Sequence, residues 1–356
     1  ILTATSGDTG KAALAGFADV EGTRIIVFYP KNGVSKVQEL QMVTQRGENV
    51  NVVAIHGNFD NAQSGVKAMF EDKELAEELA KKGYQFSSAN SINIGRLVPQ
   101  VVYYVNAYAK LLENEEIEDG EKINVVVPTG NFGNILAAYY AGKMGIPVNR
   151  FICASNENNV LTDFFNTGVY DINREFYLTN SPSMDILISS NLERLLYHLA
   201  GNDGAEIRSL MEALDTKKKY EVSETIRNGM KDFYGGCANV EETNEAVGRM
   251  YRENGYLMDT HTAVAYKVYE DYVKETGDRT PALIASTASA YKFADSVAHS
   301  IGLGDEENGF EYVRALAEKT GVRVPAGLKD LDKKEIRHRG VIKVSEMPEA
   351  VENSVK

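Results

Sequence analysis

The sequence predicts an α/β protein in which two open, mostly parallel β-sheets are flanked by helices. Short apolar runs rich in β-branched residues, for example residues 24–29 and 50–55, have the length and composition of buried strands. Segments with a helical pattern separate these runs, and this alternation predicts β-α-β units and parallel sheets. We place a boundary near Ser88, so that a small α/β domain covers residues 1–88 and a large α/β domain covers residues 89–356.

The small domain alternates regularly between strand and helix patterns. Its predicted strands are apolar or β-branched runs at residues 2–5, 24–29, 50–55 and 84–88. Its predicted helices lie at residues 10–17, 34–46 and 61–82. The chain opens inside the first strand, with no methionine, cap or leader before it, so we expect the sequence to be N-terminally incomplete.

The large domain opens with a helix at residues 94–112, whose apolar stripe includes Leu97, Val101 and Tyr108. An acidic connection at residues 113–121 leads to the next strand. The other predicted strands are at 123–127, 149–154 and 283–286, and the other helices at 135–144, 187–199, 224–233, 240–254, 262–275 and 293–300. Residues 202–220 are charged and predict a solvated surface segment, and residues 305–356 show no sheet pattern beyond 340–342.

Composition and charge narrow the functional classes. The 356 residues are 43% hydrophobic and 25% charged, which is typical of a globular protein long enough for two domains. The net charge of −13 at pH 7, without a long run of Lys or Arg, disfavours nucleic-acid and anionic-membrane partners. No apolar run is long enough to span a bilayer. Cys153 and Cys237 are the only cysteines and suggest no disulfide framework, so we expect a reducing, cytoplasmic location.

The turn Thr129-Gly130-Asn131-Phe132-Gly133-Asn134 joins the strand at 123–127 to the helix at 135–144. Glycines let a bound group approach the backbone, and the start of a helix adds unpaired N–H groups and a partial positive charge. Together these features favour an anion, usually phosphate. An ordinary connection in which Asn131 or Asn134 caps the helix is the alternative. The two glycines match neither the P-loop nor the dinucleotide-binding fingerprint.

Other turns with small polar residues also precede predicted helices. Thr5-Ser6-Gly7-Asp8-Thr9-Gly10 offers hydroxyl and N–H groups that suit a carboxylate, although a capping turn would use one of those hydroxyls. In the turn at residues 88–96, Arg96 suits bidentate contact with phosphate or carboxylate, although most single arginines pair with a nearby acid at the surface. Similar turns lie at residues 286–293 and 259–263.

Several catalytic classes lack support. His261, in the turn at 259–263, is more typical of a capping or packing histidine than of a catalyst. The five histidines show no metal-ligand spacing with acids or cysteines, so we expect no metal site. No Gly-x-Ser-x-Gly, His-Glu-x-x-His or P-loop pattern is present, which leaves hydrolase and nucleotidase functions without support.

Taken together, these turns resemble the threonine synthase family, fold type II enzymes that depend on pyridoxal phosphate. Seven segments carry the resemblance in the family's order: TATSGDTG at 3–10, YPKNGVS at 29–35, NSIN with Arg96 at 90–96, PTGNFGN at 128–134, SPSMD at 181–185, DTHTAVA at 259–265, and STAS with YKF at 286–293. No single segment is decisive, but the ordered set is highly specific.

The resemblance implies a role for each matching position. Gly130, Asn131, Phe132, Gly133 and Asn134 would bind the cofactor phosphate. Asp8 would face the phenolic oxygen of the pyridine ring, and Thr287 would hydrogen-bond the ring nitrogen. A neutral hydroxyl there leaves the nitrogen largely unprotonated, which favours elimination and replacement. The substrate carboxylate would be bound by Thr5, Ser6 and Thr9, and the substrate phosphate by Ser91, Asn93 and Arg96.

The implied reaction converts O-phosphohomoserine to threonine and phosphate, with a Schiff-base lysine as the base. In the family that lysine precedes the Ser-Gly-Asp-Thr-Gly turn, and Lys11, Lys31 and Lys292 are not at its position. We therefore expect the lysine upstream of Ile1, and residues 1–356 to be an inactive fragment that forms no covalent link with the cofactor. The alternatives are a non-catalytic phosphometabolite-binding relative, or a dehydratase or sulfur-transfer enzyme of the same fold.

Overall fold

The computed structural model describes residues 1–304 and 309–355, and the chain divides into two compact units. The first unit comprises Ile1–Asn93, Tyr291–Ala298 and Leu303–Lys356, and the second comprises Ile94–Ala290 and His299–Gly302. The structure therefore assigns most of the C-terminal segment to the first unit, whereas the sequence analysis placed all of it in the large domain.

The strands within the described residues are β1 Leu2–Ala4, β2 Ile25–Pro30, β3 Val50–His56, β4 Ile123–Pro128, β5 Val148–Ser155, β6 Val169–Asp171, β7 Lys219–Glu221, β8 Phe233–Cys237, β9 Ala282–Ile284 and β10 Gly340–Lys343. The α-helices of the same residues are α1 Asp8–Phe17, α2 Lys36–Val43, α3 Phe59–Glu71, α4 Lys73–Lys81, α5 Ile94–Leu97, α6 Val101–Glu113, α7 Gly133–Lys143, α8 Val160–Thr167, α9 Leu192–Leu199, α10 Gly204–Lys217, α11 Glu224–Gly229, α12 Val240–Asn254, α13 Thr260–Thr276, α14 Ala294–Ser300, α15 Gly309–Thr320 and α16 Met347–Ser354.

The first unit contains a parallel sheet of order β1-β2-β3-β10. Strand β2 lies inside it and is buried along its whole length, as its sequence Ile-Ile-Val-Phe-Tyr-Pro requires. Strand β10 pairs with β3, and Gly340 lies opposite Val53. This pairing explains why the C-terminal segment belongs to the first unit. Two segments so far apart in the chain leave no local pattern that would reveal their contact.

The predicted helix at residues 61–82 is two helices, α3 and α4. The chain breaks at Asp72, whose side chain accepts a hydrogen bond of 3.0 Å from the Leu75 N–H and so starts a new helix. The predicted strand at 84–88 was wrong, because only Ser88 forms an isolated bridge, to Leu2. The segment at 202–220 also differs from the prediction. It forms α10 and β7, and α10 buries Ile207, Leu210 and Leu214.

The second unit contains a parallel sheet of order β8-β5-β4-β9 and an antiparallel pair, β6 and β7. Strand β8, which includes Gly235 and Gly236, was missed by the sequence analysis because glycine weakens a strand pattern. The predicted fold class, two open parallel sheets flanked by helices, is confirmed.

Strands β4 and β9 are neighbours and parallel, so the turns that follow them lie together at the carboxyl ends of the strands.

Asp278 links the N-terminal ends of strands β4 and β5. Its Oδ2 accepts hydrogen bonds from the Asn124 and Asn149 amides at 2.9 and 3.1 Å and from the Tyr272 hydroxyl at 2.6 Å. Burial by itself would raise the pKa of the Asp278 carboxyl, but bonds from Tyr272, Thr280 and Asn124 outweigh it and bring the pKa well below its ordinary value of 3.8. The carboxyl is therefore ionised at neutral pH.

Replacing Asp278 with alanine is expected to lower the free energy of unfolding at pH 7 by about 2–3 kcal/mol, because charged hydrogen bonds are lost and buried Asn124 loses an acceptor. The folded-state pKa is depressed, so this stabilisation is present above the unfolded-state pKa and is lost as the pH falls toward the folded one. Urea unfolding followed by circular dichroism at pH 7 and at about pH 3 measures the difference. A difference as large in acid as at neutral pH would contradict the assignment.

Candidate functional site

The turn after β4 has a specific backbone conformation. Phe132 has φ +62° and ψ 5°, a left-handed conformation that is uncommon for a residue other than glycine. Its side chain is 1% exposed and packs against the rings of Phe165 and Phe233, with centroids 6.0 and 6.3 Å away. Packing in the core therefore offsets the backbone strain and holds the turn in one shape.

The acceptor groups of the turn are engaged by other side chains. Ser189 Oγ donates to the Gly130 carbonyl at 2.7 Å, and Asn191 Nδ2 donates to the Asn131 carbonyl at 2.8 Å. The Tyr104 hydroxyl donates to Asn134 Oδ1. Burial raises the pKa of the Tyr104 phenol, which keeps the group protonated and a donor. The Ser-Ser-Asn run that contains Ser189 and Asn191 lies about sixty residues from the turn, so local sequence does not predict these two donors.

The donor groups of the turn remain available. Within the described residues, the backbone N–H groups of residues 130–134 donate no hydrogen bond to another residue. They lie at the start of α7, where the helix dipole adds positive potential. Unengaged N–H groups at a helix start favour an anion, and phosphate has the charge and size that suit them.

Gly130 is required by its surroundings. A Cβ atom at this position would lie 2.6 Å from the carbonyl oxygen of Ser183, a backbone atom that cannot easily shift. Ser183 Oγ is buried and forms no hydrogen bond with the part of the chain that the structure describes. The close backbone approach and the unsatisfied hydroxyl both fit a loop that encloses a phosphate group.

Asn134 and Thr287 line the same cavity, which has a volume of about 370 Å³ and is formed within the second unit. Asn134 lies at the start of α7, and Ser286 and Thr287 follow β9, so the adjacent ends of β4 and β9 bring them together. The remaining lining residues are Tyr103, Tyr104, Ala107, Leu283, Ile284 and Ala285. Cavities of this size, apolar with a few polar groups, are typical of small-molecule sites.

The first unit presents the turn between β1 and α1. Thr5 is buried, and its Oγ1 accepts from the N–H groups of Gly7 and Gly10 at 2.9 and 2.8 Å. Gly7 has φ +130°, and a Cβ there would lie 2.4 Å from the Gln38 side chain. Thr5 therefore shapes the turn, while Ser6 and Thr9 are half-buried within it.

Asp8, the first residue of α1, has two side-chain partners. Its Oδ1 accepts from Gln38 Nε2 at 3.0 Å and from Lys292 Nζ at 2.8 Å. Lys292 is itself held through its carbonyl, which accepts from Ser35 Oγ at 2.6 Å. Neither partner was predicted from the sequence, and no local signal could identify Lys292, which lies 284 residues from Asp8.

The residues predicted to bind a substrate phosphate lie on either side of the unit boundary in the chain. Ser91 and Asn93 belong to the first unit, where Asn93 Nδ2 donates to the Ser88 carbonyl at 2.8 Å. Arg96 belongs to α5 of the second unit. Burial lowers the pKa of the Arg96 guanidinium, but an arginine remains charged at neutral pH.

A buried polar cluster in the second unit was also missed. Asp185 Oδ1 accepts from Asn156, Asn158 and Thr179 at 2.7, 3.1 and 2.7 Å. Burial raises the pKa of the Asp185 carboxyl. The SPSMD segment at 181–185 was the available signal, and its aspartate fixes the loop that approaches Gly130.

Among residues 1–304 and 309–355, no cluster of three or more His, Cys, Asp or Glu side chains could bind a metal ion. In the same described ranges, no helix combines the length and apolarity needed to cross a membrane.

Comparison with known proteins identifies the family. The family model described as pyridoxal-phosphate dependent enzyme matches residues 1–287, and that of the threonine synthase C-terminal region matches residues 262–355. The chain is 43% identical over 309 residues to threonine synthase-like 1 of Pongo abelii and 37% identical over 316 residues to threonine synthase of Saccharomyces cerevisiae. These alignments cover 85% of this chain in both cases, and 41% and 60% of the respective relatives.

A solved structure agrees over the whole chain. The pyridoxal-phosphate-bound threonine synthase of Brucella melitensis superposes with a TM-score of 0.82 at 35% identity, covering 100% of this chain and 70% of that one. Its cofactor suits the anion-binding turn and the adjacent cavity described above. The chain therefore belongs to the threonine synthase family of fold type II enzymes, and its cofactor is pyridoxal 5'-phosphate.

Proposed function

We propose that the protein converts O-phosphohomoserine to threonine and inorganic phosphate. The observation that carries this proposal is the similarity to threonine synthases, which extends along the chain from the turn at 5–10 to the C-terminal region. Because the chain spans only 41% of the length of its threonine synthase-like 1 relative and 60% of the yeast enzyme, the reaction is proposed for the protein that contains these residues.

The cofactor-binding residues have distinct proposed roles. The unengaged N–H groups of residues 130–134 bind the cofactor phosphate at the start of α7. With the cofactor bound, the Thr287 hydroxyl would donate a hydrogen bond to the ring nitrogen, and Asp8 would face the phenolic oxygen. When bound, the cofactor supplies the electron sink that makes the α and β protons of an amino-acid substrate removable. A neutral Thr287 moderates that sink, which suits elimination of a γ-phosphate followed by addition of water.

Asp8 needs a compensating charge in this role, because an ionised carboxylate next to a phenolate would be repelled. Lys292 supplies that charge through its ion pair of 2.8 Å with Asp8 Oδ1. Gln38 holds the same oxygen from a second direction, so the carboxylate has a fixed orientation.

The substrate has two anionic ends, and the overall charge of −13 gives no general attraction to it. Local groups must therefore bind both ends. We assign the carboxylate to Ser6 and Thr9 at the N-terminus of α1, where hydroxyl groups and the helix dipole favour an anion. Thr5, also predicted to bind it, is buried and shapes the turn from within. We assign the γ-phosphate to a second set, consisting of Ser91, Asn93 and Arg96, since arginine binds phosphate through two parallel N–H groups.

Turnover of O-phosphohomoserine tests the proposal directly. The purified full-length protein that contains residues 1–356 is supplied with pyridoxal phosphate and substrate, and released phosphate and threonine are measured over time. Equal amounts of the two products are expected, since each turnover releases one of each. Phosphate accompanied by 2-oxobutanoate in place of threonine would support the dehydratase alternative, and tight substrate binding without product would support the non-catalytic one.

A further inference from the structure

We propose that His261 is a positioning residue. It connects the segment that packs against Gly130 to the loop that contains Thr287, through buried hydrogen bonds and one electrostatic contact with Asp259. All of these residues belong to the second unit. The inference rests on the cofactor roles proposed above for the turn at 130–134 and for Thr287, but not on the identity of the substrate.

His261 and Asp259 form a buried couple at the start of α13. Asp259 caps the helix, because its Oδ1 accepts from the N–H groups of His261 and Thr262 at 2.9 and 3.3 Å. The exposed fractions of Asp259 and His261 are only 2% and 3%. Capping by Asp259 uses only the backbone N–H of His261, so it does not explain why a buried imidazole occupies the second position of α13.

The ring nitrogens of His261 have different neighbours. Nε2 accepts a hydrogen bond of 3.1 Å from the Ser183 N–H, so Nε2 cannot itself carry a proton. Nδ1 lies 3.3 Å from Asp259 Oδ1, an electrostatic contact outside hydrogen-bond geometry, and the ring proton on Nδ1 faces this carboxylate. Burial by itself would raise the pKa of the Asp259 carboxyl, but its bonds with His261 and Thr262 outweigh it and lower that pKa. An ionised Asp259 therefore selects the tautomer that can accept from Ser183.

His261 is connected through Ser183 to the turn at residues 130–134. The Ser183 carbonyl oxygen is the atom that a Cβ at position 130 would approach to 2.6 Å, so the Ser183 backbone lies directly behind Gly130. His261 holds the N–H of the same residue. Loss of the imidazole acceptor would therefore release the segment against which the turn is packed.

Asp259 is connected through Thr262 to the loop after β9. The Thr262 hydroxyl donates to Asp259 Oδ2, and the Thr262 and Ser286 hydroxyl oxygens are 3.3 Å apart. Since the single Thr262 proton is used by Asp259, the Ser286 hydroxyl is the donor in this second contact. Ser286 directly precedes Thr287. The Asp259 carboxylate, which orients His261, therefore also holds the loop that contains Thr287.

The variants His261→Leu and His261→Gln test the role of the acceptor. The leucine variant removes the acceptor and is expected to raise the dissociation constant for pyridoxal phosphate about tenfold or more. The glutamine variant can place its amide oxygen near the Nε2 position and is expected to recover most of that affinity. Cofactor binding is measured by fluorescence titration, and folding by thermal melting. Wild-type affinity in a folded His261→Leu variant would overturn the proposal.

Two further variants keep the test decisive if His261→Leu does not fold. Asp259→Asn preserves capping, because asparagine caps as well as aspartate. Its amide oxygen takes the capping position that also faces Nδ1, so the negative charge beside the ring is lost and an NH2 group replaces the Oδ2 that accepts from the Thr262 hydroxyl. The variant is therefore expected to weaken cofactor binding without unfolding the protein. The control for a general loss of stability is Asp203→Ala, which removes a two-bond cap from α10, where Asp203 accepts from the Ala205 and Glu206 N–H groups at 2.8 and 3.2 Å.

Asp203→Ala is expected to lower the melting temperature and leave the cofactor dissociation constant unchanged. Equal loss of cofactor affinity in Asp203→Ala and Asp259→Asn would show a general stability effect and overturn the positioning role. The two proposals can fail separately. If the wild-type protein does not turn over O-phosphohomoserine but His261→Leu still weakens cofactor binding, the proposed reaction is refuted and the positioning role is supported.

Discussion

The Gly130→Ala variant is expected to bind pyridoxal phosphate on the order of 100-fold more weakly than the wild type. The added Cβ would lie 2.6 Å from the Ser183 carbonyl oxygen, so either the turn or the segment that contains Ser183 must shift. Such a shift would misalign the N–H groups of residues 130–134, to which we assign the cofactor phosphate. Absorbance or fluorescence titration with pyridoxal phosphate measures the change.

Gly204→Ala is the matched control for this prediction. Gly204 is the first residue of α10 in the same unit, and the nearest atom to an added Cβ is 4.0 Å away, in the Tyr197 ring. The control is expected to retain wild-type cofactor affinity, because an ordinary van der Waals contact requires no shift. Tight cofactor binding by Gly130→Ala would show that the turn at 130–134 does not hold the phosphate.

The Arg96→Met variant is expected to lose about 10- to 150-fold in kcat/KM for O-phosphohomoserine, the cost of one charged hydrogen-bonding group at 1.5–3 kcal/mol. The same variant should retain its affinity for pyridoxal phosphate, because the cofactor phosphate is assigned to the turn at 130–134. Arg96→Lys is expected to recover only part of the loss, since an ammonium lacks the planar pair of donors.

Steady-state kinetics with two substrates distinguish the enzyme classes. Any slow conversion of L-serine, which has no phosphate, should be nearly the same in wild type and Arg96→Met. The control for loss of a positive charge is Arg208→Met on the exposed face of α10, which should leave both reactions unaffected. An equal loss with serine and O-phosphohomoserine would contradict a role for Arg96 at the substrate phosphate.

Local sequence predicted the parts of the site in which a strand, a turn and a helix are consecutive. The apolar run of β4, the glycine turn and the start of α7 were all evident because strand burial, glycine geometry and helix-end polarity act over a few residues. The break between α3 and α4 was not evident from the sequence, although Asp72 caps the second helix. A continuous helix and two capped ones have nearly the same periodicity, so the pattern does not distinguish them.

The fold class and the cofactor family were determined by the sequence, because each depends on short patterns and their order. The same patterns predicted the turns to which we assign the anions. Only the tertiary structure decided which distant residues meet: Lys292 with Asp8, Tyr104 with Asn134, and His261 with Ser183. Likewise, only the pairing of β10 with β3 assigned the C-terminal segment to the first unit. Contacts between residues far apart in the chain arise from packing of the whole sheet, and no single segment encodes them.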